Sequence, residues 1–206
     1  MTDASSILCV NGPFGGGKTS ACRALRCLDP RWRLADPEIL GAYLRDAEAT
    51  HGQDYQEHPG WTRLVVAGLL ALEPSPDRPV AVSMAILNEQ TWDAIEGGLT
   101  SAGLGCSHVV LDADAAELAR RIESAFVAPG EERGSTGVRQ FRLARLAEYQ
   151  EALSWLRTRA TIFDTTSTAP GEVAAMLLFA SRTTDRTRLD RDGKYFGAQC
   201  IGQESS

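Results

Sequence analysis

The feature that most constrains the fold is a glycine-rich stretch that follows a short apolar run near the N-terminus. Residues 12–19 read GPFGGGKT and come directly after the apolar residues 7–10. A glycine, four variable residues and then Gly-Lys-Thr form the Walker A pattern, which joins a strand to a helix. Glycines there curl the backbone around a phosphate, and the helix N-terminus points its positive end at the same anion. The pattern therefore predicts a strand, a phosphate-binding loop and a helix over residues 7–28.

The residues of this loop have separate predicted tasks in binding a nucleoside triphosphate. Lys18 is expected to reach the β- and γ-phosphates as a point charge, and Thr19 to offer its hydroxyl to Mg²⁺. The alternative is a glycine-rich turn with a solvated lysine, which the preceding apolar run disfavours. We therefore predict binding of ATP with Mg²⁺. The expected nucleotide-binding residues of this segment are Gly12, Pro13, Phe14, Gly15, Gly16, Gly17, Lys18, Thr19 and Ser20.

The composition favours one globular domain and argues against a nucleic-acid-binding protein. The 206 residues are 43% hydrophobic and 23% charged, and their net charge of −6 comes without a block of Lys or Arg. The five cysteines contain no CxxC pair, which is typical of reduced thiols in a cytosolic protein. The longest apolar run, residues 64–72, is too short to span a membrane, and no signal peptide is evident. These features predict a cytoplasmic protein without a transmembrane segment.

Short apolar runs alternate with helical stretches along the chain, which is the pattern of a parallel α/β sheet. The stretch 126–137 is polar and glycine-rich, as in a loop, and the predicted domain covers residues 1–181 with a small helical lid at about 126–145. Residues 182–206 are expected to form a tail that packs on the domain. Strands are predicted near 7–10, 32–35, 79–86, 106–111 and 159–163, and helices near 17–28, 38–48, 60–72, 90–103, 114–125, 137–156 and 170–181.

A carboxylate at the end of the second predicted strand is the candidate catalytic base. Asp36 follows the strand at 32–35, and the carboxyl ends of parallel strands form the ligand crevice of such a sheet. There it can accept a proton from an attacking hydroxyl or hold Mg²⁺ through water. Alternatively, Asp36 caps the next helix, since Pro37 suits the first helical position. One residue can do both.

Arginines of two predicted helices are candidates for contacts with the nucleotide. Arg121 lies late in the helix 114–125, where it can stack on the adenine or contact a phosphate, whereas Arg120 is better explained as a solvated residue. Arg139, Arg142 and Arg145 continue the apolar side of the later helix, at about 100° per residue. A solvent-facing row would oppose that side. We therefore expect Arg139 and Arg142 to be catalytic groups that enter a phosphate site.

The third predicted strand lacks an acidic residue. Its sequence, PVAVSMA at residues 79–85, offers no Walker B carboxylate, which motor and transport ATPases usually need to hold Mg²⁺ and activate water. The absence favours a small-molecule kinase whose acid comes from the second strand. Met84 and Trp61 are then candidates for an apolar pocket wall, with ordinary core packing an equally open alternative.

The combined motifs resemble the tunicamycin-resistance (TmrB-like) family of P-loop proteins, which are relatives of nucleoside monophosphate kinases. The resemblance covers most of residues 7–181 and fades in the tail. The matching stretches are residues 11–19, Asp36-Pro37-Glu38 with Gly41, Leu44 and Arg45, then Pro59, Trp61 and Arg63, residues 82–84, Arg121 and Arg139-Gln140.

The resemblance implies a fold and an activity. It implies a nucleoside-monophosphate-kinase-like α/β fold, a five-stranded parallel sheet with helices on both faces and a small helical lid. It also implies ATP binding and protection against tunicamycin, a uridine-containing antibiotic, with phosphorylation of the drug as the expected chemistry. Nucleotide kinases often carry a second lid arginine, and the corresponding residue here is Ala125. The row from Arg139 to Arg145 would have to replace it.

The sequence thus predicts an ATP-dependent phosphotransferase that acts on a hydroxyl of a nucleoside-like small molecule. Two alternatives remain: a protein that sequesters the drug and uses ATP only to order its lid, and a housekeeping kinase of a nucleoside or another metabolite. The acceptor atom and the oligomeric state are open. The predicted acceptor-binding residues are Asp36, Glu38, Arg45, Tyr55, Trp61, Arg63 and Met84.

Overall fold

One sheet of five parallel strands organises the protein. A computed structural model describes residues 6–48, 54–125 and 132–182. The strand order β2-β3-β1-β4-β5 places β1 at the centre, and the predicted five-stranded parallel sheet is confirmed. The strands are β1 (Ile7–Asn11), β2 (Arg33–Ala35), β3 (Val80–Ser83), β4 (Cys106–Asp112) and β5 (Thr161–Asp164).

Helices cover both faces of this sheet. The central strand β1 is buried along its whole length, so its alternate residues supply both faces with apolar side chains. Leu8 and Val10 belong to the same core as residues of the first and last helices, whereas Ile7 and Cys9 pack with the third and fourth. The helices are α1 (Lys18–Leu28), α2 (Glu38–Glu48), α3 (Trp61–Ala71), α4 (Glu89–Ser101), α5 (Ala115–Ser124), α6 (Glu132–Arg159) and α7 (Pro170–Arg182).

The third strand is shorter than predicted because the side chain of Asn11 takes the place of further backbone hydrogen bonds between strands. The prediction extended it to residue 86, but β3 ends at Ser83. Beyond it, the amide oxygen of Asn11 accepts the N–H of Ile86 at 2.9 Å, and the Asn11 amide nitrogen donates to the Ile86 carbonyl at 2.9 Å. The side chain at the end of β1 thus satisfies the backbone of the segment that leaves the sheet.

The helix α6 is longer than predicted. Expected over residues 137–156, it runs from Glu132 to Arg159, so the part of the predicted lid that the structure describes is the first half of one continuous helix. Its second half buries Tyr149, Leu153 and Leu156 against the sheet, which confirms the expected apolar side. Residues 126–131 of the predicted lid and the tail at 183–206 lie outside the described residues.

A short 3-10 helix, Tyr55–Glu57, was not predicted. Asp54 caps it by accepting the N–H of Gln56 at 2.9 Å, and a single turn of this kind carries no periodic pattern that a sequence could show. Among the described helices, none combines the length and the apolar character needed to cross a bilayer.

Candidate functional site

The phosphate loop, residues 12–17, joins β1 to α1 in the conformation that its glycines allow. Gly12, Gly15 and Gly17 have φ values of 136°, 82° and 85°, which favour glycine. A Cβ atom on Gly16 would stand 2.7 Å from the carbonyl oxygen of Leu111, and one on Gly12 would collide with the same oxygen. The loop therefore needs glycine both for its curvature and for its close approach to the end of β4.

Lys18 is the buried cation of this loop. Its Nζ donates to the carbonyl oxygens of Gly12 and Pro13 at 2.7 and 2.8 Å, and the residue is 9% exposed. Among the described residues, no carboxylate lies within ion-pair distance of Nζ. Burial lowers the pKa of Lys18 to about 8, although the charge of Glu38 opposes this change. A buried ammonium without an ion-pair partner suits a polyanion such as a triphosphate.

We expect nucleotide binding to be accompanied by proton uptake at Lys18. Because the pKa of Lys18 is about 8, part of the population is neutral at pH 8.5, and phosphate oxygens would favour the protonated form. Binding of a non-hydrolysable ATP analogue with Mg²⁺ should therefore take up a substantial fraction of a proton at about pH 8.5 and almost none at about pH 6.5. Calorimetry in buffers of different ionisation enthalpy measures this number. Equal uptake at both pH values would contradict the position of Lys18 at the phosphates.

The first turn of α1 presents the predicted metal-binding hydroxyl. Thr19 and Ser20, which follow Lys18 directly, are both exposed. In the described part of the chain, no group of three or more His, Cys, Asp or Glu residues could hold a metal ion. Since Mg²⁺ commonly binds through one or two protein oxygens together with substrate phosphates and water, the exposed Thr19 fits that mode.

Two carboxylates lie at the beginning of α2, and the charge of one of them, Glu38, acts on Lys18. Asp36 is exposed, and its Oδ1 accepts the N–H of Glu38 at 3.0 Å, so it makes the capping contact that the sequence offered as an alternative. Glu38 is exposed as well, but its side chain lines a cavity. Partial loss of water and the nearby charge of Asp36 raise the pKa of Glu38, whereas Lys18, Arg142 and Arg45 oppose the rise. Glu38 is therefore the carboxylate of this pair that reaches the cavity.

Two cavities border the phosphate loop, each against a different part of it. The front cavity, about 450 Å³, touches Pro13 and Phe14 and lies toward α2 and the first half of α6. The rear cavity, about 390 Å³, touches Gly15, Gly16 and Gly17 and lies toward α5 and the start of α7. The front cavity is lined by Pro13, Phe14, Glu38, Arg45, Asp54, Tyr55, Gln56, Ala85, Leu87, Val138, Phe141, Arg142 and Arg145.

The three arginines of α6 that the sequence singled out, Arg139, Arg142 and Arg145, have different environments. Arg142 lines the front cavity, with its guanidinium carbon 5.5 Å from the centre of the Phe14 ring. Arg145 also lines it and is held by an ion pair with Asp54 at 2.9 Å. Arg139 lines neither cavity and donates to the carbonyl oxygen of Ala125 at 3.3 Å. Arg139 therefore links α6 to the end of α5, and its catalytic role stays a prediction.

Arg121 lines the rear cavity and joins the phosphate loop to the segment after β5. Its guanidinium donates to the carbonyl oxygens of Gly15 at 3.2 Å, Thr165 at 2.7 Å and Thr166 at 3.1 Å. It also pairs with Glu117, and the hydrogen bonds of Arg120 and Arg121 lower the pKa of that carboxyl to about 2. Arg121 is thus fixed beside the phosphate loop, and its contact with the adenine or a phosphate stays a prediction.

Three of the predicted acceptor residues do not reach the front cavity. Trp61 is 1% exposed, packs 5.4 Å from the Tyr55 ring and donates its indole N–H to the Pro37 carbonyl at 3.3 Å. Met84 is 2% exposed in the same core, and Arg63 is exposed on α3 away from the cavity lining. Direct ligand contact by these three is therefore a prediction that this conformation does not support, because two are core residues and one points to solvent.

Other cavity residues were missed by the sequence analysis. Gln56 donates to the Ala85 carbonyl at 3.0 Å, and Phe141 is 53% exposed where it lines the cavity. Gln56 belongs to the unpredicted 3-10 helix. For Phe141, the sequence offered one signal, its position next to Arg142, which was predicted to face inward. A phenylalanine there lies off the apolar side that the later residues of the helix form.

Among the comparisons with known proteins, those with solved structures found matches to the fold. No family model matches the chain, and no curated protein sequence matches it either. Among solved structures, the tunicamycin resistance protein of Deinococcus radiodurans superposes with a TM-score of 0.63 and 26% identity, over 85% of this chain and 94% of that chain.

Two kinases share the fold at lower identity. A gluconokinase from Sinorhizobium meliloti gives a TM-score of 0.58 at 19% identity, covering 87% of this chain and 93% of its own. A sugar kinase from a Janibacter species gives a TM-score of 0.59 at 15% identity, covering 84% of this chain and 92% of its own. The chain therefore has the P-loop, nucleoside-monophosphate-kinase-like fold, and over most of its length it is similar to a bacterial tunicamycin resistance protein.

Proposed function

We propose that the protein is an ATP-dependent phosphotransferase that acts on a hydroxyl of a nucleoside-like small molecule, with tunicamycin as the first candidate. The observation that carries the proposal is the position of the phosphate loop beside two cavities of different chemistry. The rear cavity is lined by the glycine backbone of the loop with Glu117, Arg120 and Arg121, whereas the front cavity is lined by two carboxylates, three arginines and three aromatic rings. Transfer of a phosphoryl group needs such an arrangement, because donor and acceptor must meet at one loop.

The nucleotide would occupy the rear cavity and the phosphate loop. Backbone N–H groups of residues 15–18 and the ammonium of Lys18 would bind the phosphates, and Thr19 would hold Mg²⁺. When bound, the metal ion neutralises charge on the phosphates. Arg121 would border the nucleoside part. The buried position of Lys18 and the exposed hydroxyl of Thr19 support these assignments.

The front cavity would hold the acceptor, and Glu38 would deprotonate its hydroxyl. Glu38 lines this cavity near Lys18, and its pKa is raised toward neutral pH, which suits a general base. Asp36, the base suggested by the sequence, would then orient the start of α2 through its capping contact. Arg142 would offset charge that develops on the transferred group.

Two observations favour a nucleoside antibiotic as the acceptor. The similar protein of D. radiodurans is a tunicamycin resistance protein. The front cavity also adjoins a further cavity of about 540 Å³, with which it shares four lining residues, so an acceptor larger than a simple sugar can be accommodated. The shared residues are Asp54, Gln56, Leu87 and Arg145.

The experiment that tests the function is direct product analysis. The protein is incubated with tunicamycin or uridine, ATP and Mg²⁺, and the products are followed by mass spectrometry and ³¹P NMR. A drug species heavier by one phosphoryl group, formed in excess over the protein, supports the kinase. Stoichiometric binding without product over many equivalents of ATP identifies a sequestering protein instead. Phosphorylation of another nucleoside or metabolite in preference to the drug indicates a housekeeping kinase.

Arg142→Lys is expected to lower turnover more than affinity. Lysine keeps the charge but loses the planar guanidinium that stacks on Phe14, so kcat should fall about 10-fold while KM for ATP changes by less than about 3-fold. Arg139→Lys is the matched control, because Arg139 lies on the same helix but lines neither cavity. Steady-state kinetics measure both variants. An equal loss of kcat in the two variants would contradict the assignment of a role in turnover to Arg142 and not to Arg139.

A further inference from the structure

An exposed phenylalanine lies at the front cavity, where no role has been assigned to it. Phe141 is 53% exposed although α6 buries its apolar residues further along the helix. Its ring packs edge-to-face on Phe14, with 6.0 Å between ring centres and 62° between ring planes. A single exposed apolar residue is unremarkable, but here a second ring from the phosphate loop borders the same cavity. The pair presents apolar surface to whatever occupies the cavity.

A third ring, that of Tyr55, borders the cavity from the 3-10 helix. It packs so closely on α2 that a Cβ atom on Gly41 would collide with it, so the position of the ring depends on glycine there. Each of the three rings has a guanidinium within stacking or cation–π distance. Arg142 lies 5.5 Å from the centre of Phe14, Arg145 lies 5.8 Å from Phe141 and Arg45 lies 5.1 Å from Tyr55.

Two of these guanidinium groups keep hydrogen-bond donors for a ligand. Arg145 is paired with Asp54 and Glu148. In contrast, within the part of the chain that the structure describes, neither Arg45 nor Arg142 has a hydrogen bond or ion pair with a protein acceptor. Their N–H groups can therefore donate to the oxygen atoms of a bound molecule.

This combination fits a planar heterocycle better than a saturated sugar. Aromatic rings and guanidinium planes offer stacking surface to a conjugated ring, and free N–H groups suit its carbonyl oxygens. A sugar without such a ring presents hydroxyl groups on most of its surface, which call for polar partners along each wall. The front cavity instead presents three aromatic rings beside its polar side chains.

We propose, resting on the phosphotransfer proposed above, that the front cavity binds the planar heterocyclic ring of its acceptor against Phe141. Phe141 is then a specificity-determining residue that selects nucleoside-like acceptors over saturated sugars. The N–H groups of Arg45 are the hydrogen-bond donors to a carbonyl oxygen of that ring, whereas Arg142 is kept for the transferred phosphoryl group. The hydroxyl to be phosphorylated is carried by the sugar attached to it, toward Glu38 and Lys18.

The test compares uridine with D-ribose, which shares the sugar hydroxyls but lacks the base. Binding of each is measured by calorimetry with a non-hydrolysable ATP analogue and Mg²⁺ present. The wild-type protein should bind uridine at least about 10-fold more tightly than ribose. Phe141→Ala should weaken uridine binding about 10-fold, and Phe141→Tyr should stay within about 2-fold of wild type, because the ring is retained. Ribose binding should change by less than about 2-fold in both variants.

Phe179→Ala is the matched control, since Phe179 is 49% exposed on α7 and lines neither the front nor the rear cavity. It should leave uridine binding unchanged. If active protein phosphorylates an acceptor, Phe141→Ala should raise the acceptor KM about 10-fold and change kcat and the ATP KM by less than about 3-fold. Circular dichroism checks the fold of each variant. Phe141→Leu provides a second ring-free variant of similar apolarity, expected to weaken uridine binding about 3-fold.

The outcomes separate this proposal from the phosphotransfer proposal. Uridine and ribose bound equally well, no uridine binding, or unchanged uridine affinity in Phe141→Ala would each overturn the role of Phe141. Ring-dependent uridine binding without any phosphorylated product would support the role of Phe141 and overturn the kinase. A loss of kcat with unchanged acceptor affinity would indicate that Phe141 positions Arg142 or the loop rather than selecting the acceptor.

Discussion

Replacing Lys18 with methionine is expected to reduce kcat/KM for ATP on the order of 10²- to 10³-fold, as for loss of a single preorganised charge partner in an active site. Methionine fills similar space, so the fold should persist. The ammonium contacts two loop carbonyls and no described carboxylate, so its charge is available to phosphate. Steady-state kinetics and calorimetric titration with an ATP analogue provide the measurement.

The control for this substitution is Arg26→Ala. Arg26 lies in the last turn of the same helix, is exposed and borders neither cavity, so its loss removes a positive charge without removing a phosphate contact. It should change kcat/KM by less than about 2-fold. Wild-type ATP affinity and turnover in Lys18→Met would show that the phosphate loop does not bind the nucleotide. Loss of the circular dichroism signal in Lys18→Met, but not in Arg26→Ala, would instead assign Lys18 a structural role.

The fold was largely predictable because its main signals are local. The strand, loop and helix over residues 7–28 follow from one motif in which glycine, lysine and threonine each have a fixed geometric role. The central strand is buried on both faces, so its sequence is continuously apolar and easily recognised. The end of β3 was not predictable, since the backbone of Ile86 bonds to the side chain of Asn11, 75 residues away in sequence, and not to a neighbouring strand. A contact of that kind leaves no periodic signal.

The site was less predictable because side-chain direction depends on tertiary packing. Arg139 and Arg142 are three residues apart and appear equivalent on a helical projection, yet only Arg142 lines the front cavity. The C-terminal end of α5 approaches α6 beside Arg139 and gives it the Ala125 carbonyl as a partner. Trp61 illustrates the same dependence on packing. The sequence left a pocket wall and core packing equally open for it, and in the structure it is buried against Tyr55, which lines the cavity.

Asp36 and Glu38 present the same difficulty in its most consequential form. Both follow β2 within a few residues, so the sequence could not rank them by geometry. In the structure, Asp36 accepts a backbone N–H at the start of α2, whereas Glu38 lines the front cavity. In the proposed mechanism, the capping role and the base role that the sequence allowed for a single residue would be divided between two carboxylates.

Glu38→Gln is expected to lower phosphotransfer about 10²-fold or more, because glutamine keeps the size and polarity of the side chain but cannot accept the proton. The ATP affinity should change by less than the turnover, since among the described residues no ion pair or hydrogen bond joins Glu38 to Lys18, although its charge acts on Lys18. Loss of this base should also remove the acidic limb of the pH–rate profile. The raised pKa of Glu38 predicts that this limb lies above the usual range of a glutamate, with activity falling as the pH drops through it.

Asp36→Asn is the partner variant that separates the two carboxylates. Asparagine keeps an oxygen that can accept the Glu38 N–H, so the cap of α2 should survive and turnover should fall by less than about 10-fold. Part of that fall would arise because the charge of Asp36 raises the pKa of Glu38, and its removal would shift the acidic limb to lower pH. Single-turnover rates measured across pH for both variants show which carboxylate is the base. A loss of about 10²-fold or more in Asp36→Asn, with Glu38→Gln near wild type, would make Asp36 the base and Glu38 an acceptor-binding group.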